Sequence, residues 1–143
     1  MDKRQMKTYE IKKGKHRSGW HFSPVFGGGV EFVSFRINRW AYDPMDAQQC
    51  EQWNKIWGYG AFPHHHYNSQ RIVFRWCREP HKVEVAFYQY SSGQRLIVPI
   101  GYFKTREWIT VHFIKPMFGY TLFPYHGGKA VSPINYSVEI DVK

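Results

Sequence analysis

Cysteine is scarce in this 143-residue chain: Cys50 and Cys77 are the two it has, and their spacing fits neither a metal knuckle nor a disulfide framework. Long apolar runs are missing as well. The charged start, Met1-Asp2-Lys3-Arg4-Gln5-Met6-Lys7, leads into no apolar stretch, so the sequence predicts neither a secretory leader nor a membrane span and places the protein in a reducing cytoplasm. In that compartment the Asn135-Tyr136-Ser137 sequon is not glycosylated. Acidic residues are few: eleven Asp and Glu against twenty Lys and Arg leave a formal charge of +9 and a surface that draws anions. A Gly-rich phosphate loop, a nucleophile motif, internal repeats and low-complexity tracts are all absent, which argues against P-loop phosphoryl transfer and elbow-type acyl transfer. No recognition-helix or RNP signature points to sequence-specific nucleic acid.

What the chain has is aromatic side chains, 19% of its residues, set in alternating rather than helical spacing. Residues 30–39 alternate with apolar side chains on both faces, as a covered central strand does. Residues 71–76 place Ile72, Phe74 and Trp76 on one face and Arg71, Val73 and Arg75 on the other. Residues 83–90 alternate again, Ser91-Ser92-Gly93 has hairpin chemistry, and 94–100 should return antiparallel. Further short strands are expected at 8–12, 108–115 and 134–142, with an aromatic segment over 118–125, a Pro/Gly connection over 23–29 and a turn over 101–106. Asp43-Pro44 breaks the pattern, and Cys50, Trp53 and Trp57 at three- and four-residue steps predict one short helix over 45–57. The expectation is a mostly β, single-domain (1–143) antiparallel two-sheet sandwich of the jelly-roll type with one short helix.

The run from Phe118 through Phe123-Pro124-Tyr125-His126 to Gly127-Gly128, followed by Pro133 and a final strand, resembles the ending of concanavalin-like sandwiches. The segment from His64 to Trp76 is similar to one in small uncharacterised bacterial and phage proteins with this ending. The resemblance implies a concanavalin-like jelly roll whose concave face or rim loops hold a ligand, often a carbohydrate; it implies no activity. Retaining glucanases of this architecture carry acids at alternate positions of one strand. Here Glu139 and Asp141 are followed at the next alternate position by Lys143, which is not that motif.

A polar loop, Pro63-His64-His65-His66-Tyr67-Asn68, runs into the arginine-bearing strand. His64 and His66 can share one side of an extended segment, a spacing seen in zinc sites, with His112 and His126 as distant partners; the same imidazoles serve equally as neutral donors to phosphate or sugar hydroxyls. Arginine forks at Arg71 and Arg75 suit phosphate, sulfate or carboxylate, and pairing with Glu31 or Glu84 is the competing use. Tyr88 and Tyr90 share a face with Glu84 and can stack on a base or sugar. The expected ligand-binding set is His64, His66, Asn68, Arg71, Arg75, Tyr88, Tyr90, His112, Tyr125 and His126, with no cofactor, no metal and no catalytic residue assigned. The expected activity is binding of an anionic small molecule or glycan without transforming it, with homo-oligomerisation possible. The alternatives are a structural or assembly protein of a phage particle, and a lyase or phosphodiesterase using His/Tyr acid-base chemistry.

Overall fold

The computed structural model describes residues 6–12, 23–39, 52–61, 69–79, 81–124 and 136–142. Ten strands run through them: β1 (Met6–Ile11), β2 (Pro24–Phe26), β3 (Val30–Arg39), β4 (Asn54–Ala61), β5 (Ser69–Trp76), β6 (Lys82–Ser91), β7 (Gln94–Lys104), β8 (Ile109–Ile114), β9 (Phe118–Leu122) and β10 (Tyr136–Val142). Among the described residues there is no helix.

The strands form two antiparallel sheets, of order β1-β10-β3-β8 and β2-β9-β4-β5-β6-β7. Setting β6 and β7 aside, the remaining eight pair in nested fashion: β1 with β10, β2 with β9, β3 with β8 and β4 with β5. That is a long hairpin wrapped across two sheets, the jelly roll expected from the sequence. β6 and β7 add a further hairpin to the open side of β5. Its two-residue turn has φ of 49° at Ser92 and 81° at Gly93, the left-handed pair that matches strand twist.

Alternation sets the core. Val33, Phe35, Ile37, Ile109, Val111, Phe113, Val138 and Ile140 of one sheet meet Ile56, Ile72, Phe74, Trp76, Val83 and Val85 of the other. Phe74, Trp76 and Tyr136 stack edge to face with centroids 5.2–5.9 Å apart. Burial pushes the Tyr136 hydroxyl pKa upward.

Three expectations need correction. Residues 54–57, expected as the end of a helix, open β4; the rest of that span, 45–51, lies outside the described residues. A bulge between Lys55 and Trp57 explains the misreading. The extra residue lets Ile56 and Trp57 both face the core, so alternation fails and the tryptophans fall four apart. Trp53 packs on the opposite, outer face with Val73 and Tyr88. Residues 101–104, expected as a turn, continue β7, because a bulge near Pro99 absorbs Ile100 and Gly101 takes a φ of 157°. The strand β2 was likewise hidden within the expected Pro/Gly connection.

Candidate functional site

The outer face of the six-stranded sheet gathers four of the expected ligand residues. Arg71 and Arg75 on β5 stand directly opposite Tyr88 and Glu84 on β6, and Tyr90 lies one step along from Tyr88. Lys55 of β4 joins them across Val73, and Arg95 of β7 lies opposite Tyr90. Tyr88 is the hub. The Lys55 ammonium and the Arg71 and Arg95 guanidinium carbons lie 5.1, 5.3 and 6.0 Å from its ring centroid. A ring quadrupole attracts each cation separately, but it does not cancel their mutual repulsion.

The local sequence sets these contacts. Period-two alternation sends Arg71, Val73 and Arg75 to one side of β5 while Ile72, Phe74 and Trp76 enter the core. The close approach of β4 to β5 depends on Gly58, where a Cβ would lie 2.2 Å from the Gln70 carbonyl oxygen and 2.5 Å from the Arg71 Cβ. No side chain fits there, so β4 lies against β5 at the level of Arg71.

Arg75 is engaged differently from Arg71. Its Nη2 and Nε lie 2.5 and 2.6 Å from Glu84 Oε1, and its guanidinium sits 4.5 Å over the Trp53 ring. Glu84 is 7% exposed, so the acid that the sequence placed beside the tyrosines is buried by pairing across the sheet. Lys82 in turn reaches Glu79 at 3.1 Å. Lys55, Arg71 and Arg95 are the cations gathered around Tyr88. Arg71 is 2% exposed and forms the floor, Lys55 and Tyr90 are half-buried, and Arg95 is exposed.

Titration follows from this crowding. Burial, then the Arg71 and Arg95 guanidiniums, lower the Lys55 ammonium to about 8 from 10.5. The Tyr88 and Tyr90 hydroxyls are 3.2 Å apart, and that hydrogen bond, with burial, raises Tyr90.

His112 is not part of this cluster. It lies on β8 of the four-stranded sheet, exposed on that sheet's outer side, with its ring 4.3 Å from Phe32. Glu139, of the alternate acids on β10, accepts from Arg36 Nε at 2.6 Å and Asn38 Nδ2 at 3.0 Å. His64, His66, Asn68, Tyr125 and His126 lie outside the described residues. Among the described residues no group of three or more His, Cys, Asp and Glu is placed to hold a metal, and no helix is long and apolar enough to cross a membrane.

Sequence reasoning missed Lys55, Arg95 and Trp53. The signal for Arg95 was present: a two-residue Ser92-Gly93 turn fixes a register that sets Arg95 opposite Tyr90. Lys55 and Trp53 were hidden by the bulge.

A concavity opens elsewhere, between the sheets, a cleft of about 410 Å³ lined by residues including Lys7, Tyr9, Glu31, Trp57, Lys115 and Phe123. Its carboxylate is taken by an internal partner, since the Tyr59 hydroxyl donates to Glu31. Its rings pack on one another, Trp57 against Phe123 at 5.3 Å and Tyr9 against Phe123 at 5.8 Å. The outer-face cluster is the stronger candidate, because its cations converge on one ring.

Compared with known proteins, the chain matches no family model, no curated protein and no solved structure.

Proposed function

We propose that the outer face of the six-stranded sheet binds a compact anion, such as a phosphorylated nucleotide or an acidic glycan, and does not turn it over. The observation that carries this reading is the placement of Lys55, Arg71 and Arg95 within 6.0 Å of the Tyr88 ring, with the neighbouring Glu84 already held by Arg75. Like charges this close repel, and an anion between them relieves the repulsion. Planar guanidinium forks suit phosphate, sulfate and carboxylate oxygens. Tyr90 and Trp53 offer ring surface to a base or sugar at the edge of the cluster.

Equilibrium dialysis against nucleoside phosphates and a sulfated disaccharide, each beside its uncharged analogue, tests the reading. Arg95 is exposed, so its truncation leaves the core intact. The Arg95→Ala and Arg71→Met variants should each bind about 10–100-fold more weakly, the equivalent of a lost charge-assisted hydrogen bond or two. Parental affinity in both variants would overturn the assignment.

An assembly role, as a phage or bacterial structural component, is the second reading. It is favoured by the exposed apolar side chains Phe26, Val30, Ile114, Met117 and Phe118, of which Phe26 and Phe118 stack at 5.3 Å. Jelly rolls serve capsids and lectins alike, so the fold leaves both open. Light scattering across a concentration series separates them: growth in mass with concentration, lost in Phe118→Ser, supports assembly.

A further inference from the structure

We propose that Lys55 is a covalent contact of this face, its amine condensing with the carbonyl of a small phosphorylated or carboxylated aldehyde whose anionic group Arg71 and Arg95 hold beside Tyr88. The inference rests on the anion-binding reading and adds a reacting atom to it.

The geometry comes first. Lysine ordinarily keeps its ammonium in open water. Here the β4 bulge leaves Lys55 on the outer face just as Ile56 and Trp57 turn inward, and its half-buried amine reaches over the Tyr88 ring, with Nζ also 3.4 Å from the Trp53 carbonyl oxygen. Two guanidiniums share that ring. Arginine does not give up its proton, so in a crowd of three cations the lysine is the group that yields.

The chemistry follows. With its pKa lowered to about 8, Lys55 is an amine in roughly one molecule in ten at pH 7, against well under one in a thousand for a lysine at 10.5. Desolvation beside other cations is the way a lysine becomes a nucleophile. The nitrogen lone pair forms the C–N bond as the carbonyl π pair moves to oxygen. A proton passes from nitrogen to that oxygen and gives the carbinolamine. The C–O bond then breaks, the second nitrogen proton accompanies the leaving hydroxyl as water, and a C=N bond remains. Nothing is oxidised or reduced, and the products are the imine and one water. An uncharged aldehyde meets the same amine but gains nothing from Arg71 and Arg95.

The test uses pyridoxal 5′-phosphate and pyridoxal as probes, with borohydride reducing any imine to a stable secondary amine and peptide mass spectrometry locating it. At pH 7 the phosphorylated probe should label Lys55 at concentrations at least tenfold below those that label Lys82 or Lys104. Pyridoxal should show no such preference, and inorganic phosphate should compete. The Lys55→Arg variant should lose the adduct yet still retain the phosphorylated probe on dialysis, whereas Arg95→Ala should weaken retention and labelling together. Labelling of Lys55 no faster than Lys82, in protein that retains the probe, overturns the covalent inference alone. No retention and no competition by phosphate overturns the anion-binding reading with it.

Discussion

Replacing Lys55 by methionine should make the protein more stable at pH 7 and change little at pH 10. A folded-state pKa of about 8 against 10.5 for the free side chain means that the fold disfavours the ammonium. At about 1.4 kcal/mol per pKa unit, holding it charged costs on the order of 3 kcal/mol at most; the side chain keeps some contact with solvent, and screening reduces this to roughly 1–3 kcal/mol. The sign follows from proton counts. Between about pH 8 and 10.5 the unfolded chain carries the lysine proton and the folded chain has released it, so stability rises with pH across that window. Below pH 8 both states are protonated, and the full cost is present.

The tyrosines bound the upper end. Burial raises Tyr9 and Tyr136, and the Tyr88 hydrogen bond raises Tyr90, so their contribution is present below the ordinary tyrosine value of 10.0 and falls away as pH climbs above it. Urea unfolding followed by tryptophan fluorescence at pH 7, 8, 9 and 10 should show the parent rising and Lys55→Met nearly flat, the two converging towards pH 10. Methionine keeps the apolar stem and removes the charge, so lost packing is not the cause of a difference. A variant less stable than the parent by a constant amount at every pH would refute the reasoning, because Lys55 would then be held by a favourable contact.

Three other perturbations probe the same sheet. Arg75→Ala and Glu84→Ala should each destabilise by about 1–3 kcal/mol, and a double-mutant cycle on urea midpoints should return a coupling of about 0.5–3 kcal/mol; additivity would mean that the pair is solvated and contributes nothing. Gly58→Ala should cost about 1–3 kcal/mol or more, since the added Cβ meets Gln70 backbone at 2.2 Å, whereas Gly60→Ala meets the Tyr120 ring at 2.8–2.9 Å and should be relieved by Tyr120→Ala; equal thermal midpoints for Gly58→Ala and parent would contradict the close approach. Trp76→Ala, in the edge-to-face cluster with Phe74 and Tyr136, should cost about 3–5 kcal/mol by calorimetry.

How far the sequence spoke depended on whether alternation was interrupted. Residues 30–39 read as a central strand covered on both faces; β3 is central, between β10 and β8, but Val30 and Phe32 on its outer side are exposed, so only the Val33, Phe35 and Ile37 face is covered. Arg71, Arg75, Tyr88 and Tyr90 were legible as outward residues of adjoining strands because one period governs each strand, and the structure puts them on one face. Where a bulge inserts one residue, the period slips: β4 imitated a helix, and Lys55 and Trp53 vanished with it. His112 shows a different limit. Alternation tells which side of its own strand a residue occupies, but not which sheet the strand joins; β8 pairs with β3, which carries His112 to the four-stranded sheet. The concanavalin-like resemblance reached no further than two antiparallel sheets.

The position of the cluster within the topology bears on its origin in the fold. Lys55 and Arg71 stand on β4 and β5, the innermost pair of the nested eight, while Tyr88 and Arg95 stand on the hairpin that extends the sheet beyond them. Without β6 and β7, β5 would be an edge strand and Arg71 would lie at a solvated border, where a guanidinium carries little cost and little specificity. With them, Arg71 is 2% exposed and faces an aromatic ring, with Arg95 gathered to the same ring from the hairpin's return strand. The tyrosine and second arginine found there keep the positive charge concentrated, a cost to stability that an anionic partner would offset by binding the folded state.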